Sequence, residues 1–101
     1  MQQTFKDKIP LLIPLLKHHK IKRAYAFGSA VSGKFTATSD IDLLVDVDDT
    51  IDPVELGEHL WTLQFELENL FGRAVDLITS RSLKNPYFIH EINRTKQLIY
   101  E

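Results

Sequence analysis

The stretch from Asp40 to Val47 constrains this chain more than any other. Ile41, Leu43, Val45 and Val47 alternate with Asp40, Asp42, Leu44 and Asp46, the period of two that a β-strand imposes on its side chains. One face of that strand is wholly apolar and requires a core to cover it. The other carries three carboxylates around a single leucine. Burying the first face needs partner strands and a covering layer. A length of 101 residues supplies material for one domain with one core, expected to span residues 1–101.

The rest of the chain offers those partners. From about Phe5 to His19, the residues Phe5, Ile9, Leu12, Ile13 and Leu16 recur at helical spacings of three and four. Pro10 and Pro14 are expected to bend or shorten this helix, because each removes a backbone donor. Ala24 to Phe27 reads as a short buried strand that stops at Gly28. Asp52-Pro53-Val54-Glu55 is a helix start: Asp52 can cap, Pro53 suits the first helical position, and Glu55 makes a capping-box-like pair. Leu56, Leu60, Leu63, Leu67 and Leu70 follow as one stripe, and Gly72 stands where a helix favours its end. Ala74 to Ile78 reads as another short buried strand, interrupted by Asp76. Asn85-Pro86 opens a last helix carrying Phe88, Ile89 and Ile92, and Leu98 to Tyr100 reads as a final short strand. The order of strands and helices predicts an α/β (α+β) fold, a small mixed β-sheet with helices packed on it.

Composition narrows the function classes. Apolar residues are 44% and charged residues 26% of the chain, ordinary globular proportions that argue against disorder. Twelve Lys and Arg against 14 Asp and Glu leave a formal charge of −2, a balance that argues against general nucleic-acid binding by phosphate neutralisation. With no cysteine there is no disulfide framework, thiolate zinc site or cysteine nucleophile. The apolar run near the start is broken by two prolines and is too short to span a bilayer. A cytoplasmic protein is expected.

Three carboxylates point to chemistry. Asp40 and Asp42 are two apart on a strand and project from one face. Asp76 lies inside Ala74-Val75-Asp76-Leu77-Ile78, among residues that favour burial. Aspartate is depleted in strands, and burying an unpaired charge costs several kcal/mol. A divalent cation relieves both the burial and the mutual repulsion, and hard oxygen ligands favour Mg²⁺ or Mn²⁺. The competing reading is a solvated acidic face that Asp46, Asp48 and Asp49 continue. Gly28-Ser29 favours the first: a glycine closing a strand admits close backbone approach, and a serine opening the next helix offers a hydroxyl and N–H groups to a phosphate.

Gly28-Ser29, ten intervening residues, Asp40-x-Asp42 and a later-strand Asp76 together resemble the nucleotidyltransferase superfamily related to DNA polymerase beta. The closer resemblance is to the minimal nucleotidyltransferases, the MNT antitoxins encoded beside HEPN-domain proteins. It extends from about Ala24 to Glu101. It rests on Ala26-Phe27-Gly28-Ser29, Gly33, Ser39-Asp40-Ile41-Asp42-Leu43-Leu44-Val45 and Val75-Asp76-Leu77-Ile78. The resemblance implies transfer of AMP or another NMP from ATP or another NTP to a hydroxyl. A tyrosine of a cognate HEPN toxin is the acceptor it implies. Asp40, Asp42 and Asp76 would be catalytic and hold Mg²⁺, two ions being expected, with Mn²⁺ as an alternative. Gly28, Ser29 and Ser39, with Lys34, would hold the nucleotide. In-line attack on the α-phosphorus builds charge that metal ions neutralise. The family usually places arginines shortly after the Gly-Ser, where this chain has Ala30-Val31-Ser32-Gly33-Lys34. That departure supports an alternative, an antitoxin that neutralises its partner by binding alone.

Other candidates read as structural. His18, His19, His59 and His90 lack zinc-ligand spacing and are expected to be solvated or half-buried. Lys17, Lys20, Lys22 and Arg23 suit a solvated helix end. Trp61 and Phe65 lie off the leucine stripe and fit either core or interface. About 100 residues cover only a catalytic sheet and its helices, so a hetero-oligomer, built in one version on a homodimer, is expected.

Overall fold

The computed structural model describes residues 3–28, Val31 and residues 40–101. Among these, the elements run α1 (Gln3–His18), β1 (Ile21–Phe27), β2 (Ile41–Val47), α2 (Pro53–Phe71), β3 (Val75–Thr79), a 3-10 turn (Ser80–Ser82), α3 (Pro86–Thr95) and β4 (Gln97–Tyr100). The sheet order is β3-β2-β1-β4. β1 is antiparallel to both β2 and β4, and β2 is parallel to β3. The parallel pair requires a crossover connection, and α2 provides it. The result is the mixed sheet with packed helices that the sequence predicts.

The strand period sorts side chains onto two faces. Ala24, Ala26, Ile41, Leu43, Val45 and Val75 join Phe5, Leu12, Leu16, Leu56, Leu63 and Leu67 in the main core, so α1 and α2 cover one face. On the other face Phe27 and Leu44 meet Ile92 of α3, with Tyr25, Ile78 and Leu83 alongside. This second core is small, and it leaves part of its sheet face open.

Local chemistry sets the ends of α2. The Asp52 carboxylate accepts from Val54 N at 3.0 Å and Glu55 N at 3.2 Å, with Pro53 opening the first turn. Glu55 accepts from Lys20 at 3.0 Å, an ion pair between elements in place of the reciprocal cap suggested by its spacing. Gly72 ends the helix at φ 67°, a left-handed conformation that costs glycine little. Lys8 donates to the Leu70 carbonyl at 2.9 Å, using one of the acceptors that a helix end leaves open. Phe5 stacks on Phe71 with ring centroids 5.3 Å apart.

Three expectations are corrected. Pro10 and Pro14 do not shorten α1, which runs unbroken for 16 residues; both prolines are exposed, so water can satisfy the carbonyls they leave without a donor. β1 starts at Ile21 rather than Ala24, because antiparallel pairing with β2 extends to Ile21 opposite Val47. β3 is not a fully buried strand. It lies at the sheet edge, where Asp76 is exposed and Leu77 and Ile78 are half-buried.

Candidate active site

The site is assembled by register. β1 and β2 pair so that Phe27, the residue before Gly28, stands opposite Asp42. β2 and β3 pair in parallel with Asp42 opposite Asp76. Residues paired in this way share a face, here the face that carries Leu44 and is only partly covered by α3. Asp40 directly precedes β2 and is exposed. Two of the three predicted carboxylates are therefore cross-strand neighbours, and the third stands at the entrance of the central strand.

Gly28 closes this arrangement. Its φ is +72°, and a Cβ built there would lie 2.2 Å from Asp42 Oδ2, a separation no side chain can occupy. The Asp42 carboxylate occupies the place that a side chain at Gly28 would need. Val31 N donates to the Gly28 carbonyl at 3.1 Å. The predicted nucleotide contacts Ser29, Lys34 and Ser39, like Gly33, lie outside the described residues.

The electrostatic load falls on Asp42. Its carboxyl is pushed above the ordinary value of 3.8, first by burial and then by the charges of Asp76 and Asp40. This corrects the sequence reading, which gave Asp76 a burial cost as well. Asp76 and Asp40 are exposed and Asp42 is half-buried, so the cost of burial concentrates on the central carboxylate. A group in that position gains from a proton or a cation.

The remaining acids of the run have other work. Asp46 accepts from Arg23 Nε at 3.1 Å and from the Ser80 hydroxyl, tying β2 to β1 and to the turn after β3. Asp48 accepts from both the backbone and hydroxyl of Thr50, bonds that hold its pKa down. The solvated-face reading thus fits Asp48 and Asp49, which are exposed, whereas Asp46 is a structural tie. Asp42 and Asp76 are the pair set against each other by register.

The donor set fits a magnesium-class ion: all three groups are hard carboxylate oxygens, and the Asp42 charge, disfavoured by burial and then by Asp76 and Asp40, gains from a cation. Among the described residues, no three carboxylate or imidazole side chains stand close enough to enclose an ion. The cluster is open, the form suited to Mg²⁺ held by one or two carboxylates together with substrate phosphates.

Sequence reasoning missed two features. His19 is buried at 4% exposure, not solvated or half-buried; its Nε2 contacts Glu66 and its Nδ1 lies 3.0 Å from His59 Nδ1. The histidines are 40 positions apart, so no local spacing could reveal the pair. Phe88 packs edge-on against Phe27, ring centroids 6.2 Å apart, which brings the start of α3 beside the strand that ends at Gly28. The two aromatic residues that follow the Asn85-Pro86 helix start, Tyr87 and Phe88, were the available signal. Trp61 and Phe65 are 71% and 57% exposed and pack on each other at 5.9 Å, so the core reading fails for them.

This geometry agrees with the comparisons to known proteins. Residues 11–101 match the polymerase beta nucleotidyltransferase family, and the chain belongs to it: it is a nucleotidyltransferase. Among its relatives is MJ1379 of Methanocaldococcus jannaschii, which carries the provisional name protein adenylyltransferase. It is 39% identical over 82 residues, 81% of this chain and 78% of its own. MJ0126 of the same organism, provisionally named in the same way, is 38% identical over 86 residues, 85% and 82% of the two chains. A solved structure described as a minimal nucleotidyltransferase superposes with a TM-score of 0.75 at 26% identity, covering 94% of this chain and 92% of that one. A chain of a toxin–antitoxin crystallised with AMP-PNP gives 0.73 at 26% identity, covering 91% and 72%. A chain from the tri-AMPylated HEPN toxin of Shewanella oneidensis in complex with its MNT antitoxin gives 0.64 at 26% identity, covering 99% and 72%. No described helix is long and apolar enough to cross a membrane.

Proposed function

We propose that this nucleotidyltransferase moves AMP from ATP to a tyrosine hydroxyl of a HEPN-domain partner and so acts as the antitoxin of a toxin–antitoxin pair in the cytoplasm. The observation that carries the reading is the Asp42–Asp76 register on an open sheet face, with Gly28 making room for the Asp42 carboxylate. Relatives named as adenylyltransferases and structural neighbours in HEPN complexes supply the donor and acceptor classes.

Asp40, Asp42 and Asp76 would hold Mg²⁺, which when bound neutralises charge developing on the phosphate oxygens. Asp42 would be the central ligand, since burial first and then the charges of Asp76 and Asp40 raise its proton affinity, and a cation would offset both. Asp76, exposed at the sheet edge, would accept the proton of an incoming hydroxyl. Gly28, with Ser29, Lys34 and Ser39, would position the phosphates. The partner would present the acceptor, since the described sheet face has only α3 beside it.

The experiment is intact-mass analysis of the HEPN partner after incubation with this protein, Mg²⁺ and each NTP in turn. The expected result is a mass gain of one or more nucleotidyl groups with one preferred NTP. No gain with any NTP on a folded partner would reject the proposal. The absence of arginines after Gly28-Ser29 favours the second reading, neutralisation by binding. On that reading folded Asp40→Ala and Asp42→Ala variants still protect cells from the partner; on the enzymatic one they do not.

A further inference from the structure

The chain has three tyrosines, and the fold treats them differently. Tyr25 is half-buried, its ring 4.4 Å from the Lys96 ammonium. Tyr100 is half-buried against the main core. Tyr87 is 87% exposed, more than any other large hydrophobic side chain described. It lies in the first turn of α3, fixed by its own N–H donating to the Asn85 side chain at 2.9 Å. Its neighbour Phe88 packs on Phe27, and Phe27 stands in register with Asp42.

We propose that Tyr87 is itself a nucleotidyl acceptor, modified by the active site of a second copy of this chain. The inference rests on the reading that the enzyme transfers nucleotidyl groups to tyrosine hydroxyls, and it adds an acceptor which that reading does not contain. A ring held so far into solvent on a capped helix is presented to another molecule rather than to its own sheet. Tyr87 Oη attacks the α-phosphorus of the NTP bound to the other copy. An O–P bond forms, the bond from the α-phosphorus to the β-phosphate oxygen breaks, and pyrophosphate leaves with that electron pair. The phenolic proton passes to the Asp76 carboxylate of the copy that holds the NTP and then to water. The phosphodiester so formed carries its negative charge beside the first turn of α3, where the helix dipole favours an anion.

The test uses the full chain with ATP and Mg²⁺, with and without its HEPN partner, read by intact mass and by fragment mapping. The expected result is a gain of one nucleotidyl group on Tyr87. It is lost in Tyr87→Phe while transfer to the partner persists. A tagged Asp42→Asn chain, inactive itself, should be labelled at Tyr87 by untagged active chain. Label on the partner with none on Tyr87, or label on another residue of this chain, overturns the proposal and leaves the proposed function standing. An unlabelled Asp42→Asn chain beside a labelled active one overturns transfer between copies. No label on either protein overturns both readings together.

Discussion

Gly28 and Asp42 are coupled at the level of single atoms. Any side chain at Gly28 meets two penalties, a left-handed φ of +72° and a clash with Asp42 Oδ2. Gly72 meets only the first, since a Cβ there has nothing within 4 Å. Gly72→Ala is expected to lose about 1 kcal/mol in a urea titration and to keep its transfer rate. Gly28→Ala should lose more than about 1 kcal/mol and also lose transfer, because Asp42 must move. Asp42 gives a pH prediction of defined sign. Its folded pKa lies above 3.8, so the folded state binds more protons than the unfolded state between the two values. Its contribution to stability is present below 3.8 and is lost as pH rises through the folded pKa. Asp42→Asn should therefore melt above the wild type at pH 7 without metal, and the gap should close below pH 3.8. Equal melting temperatures at pH 7 would show that Asp42 carries no such load. At this scale much of the site was legible: the period of two placed Asp42 with Leu44 and Asp46 on one face, and Asp76 stood out within an apolar run. The fates of the acids were not. Asp46 is used by Arg23 and Ser80, partners fixed by cross-strand register rather than by local spacing.

Among the elements, α2 was the most legible, because its signals are local. Asp52, Pro53 and Gly72 act within a few residues of the helix ends they set. The energetics separate cap from core: Asp52→Ala should cost about 1 kcal/mol, whereas Leu63→Ala, at a side chain with no exposure, should cost about 2–5 kcal/mol. Chemical denaturation of both variants checks the ordering, and an equal cost would mean that the leucine stripe is not the main core. β3 was less legible. Val75-Asp76-Leu77-Ile78 has the composition of a central strand, and only the order β3-β2-β1-β4 makes it an edge that tolerates an exposed Asp76. His19 shows the same limit. It joins the turn after α1 to α2 through Glu66 and His59, and neither partner is near in sequence. Glu66→Ala leaves the buried His19 Nε2–H without its acceptor and should cost about 1–3 kcal/mol, measured by the urea midpoint. Glu66→Gln, which keeps an acceptor oxygen, should cost less.

The whole molecule divides its labour by face. α1 and α2 seal one side of the sheet with nearly all the large buried side chains. The other side has a three-residue core beneath α3 and bears Asp42 and Asp76. Such a division lets the layer that stabilises the sheet and the face that carries the carboxylates make separate demands on the same strands. It also explains why the resemblance read from the sequence concentrates at strand ends, where Gly28 and Asp42 meet. Asp40, Asp42 and Asp76 are proposed to form one cation-dependent centre. Its most direct test is Mn²⁺ binding followed by electron paramagnetic resonance, with a non-hydrolysable NTP analogue, on the wild type and on Asp42→Asn and Asp76→Asn. The expected result is nucleotide-dependent Mn²⁺ uptake by the wild type and its loss in both folded variants. Uptake that is unchanged in either variant, beyond what the nucleotide binds by itself, would contradict it.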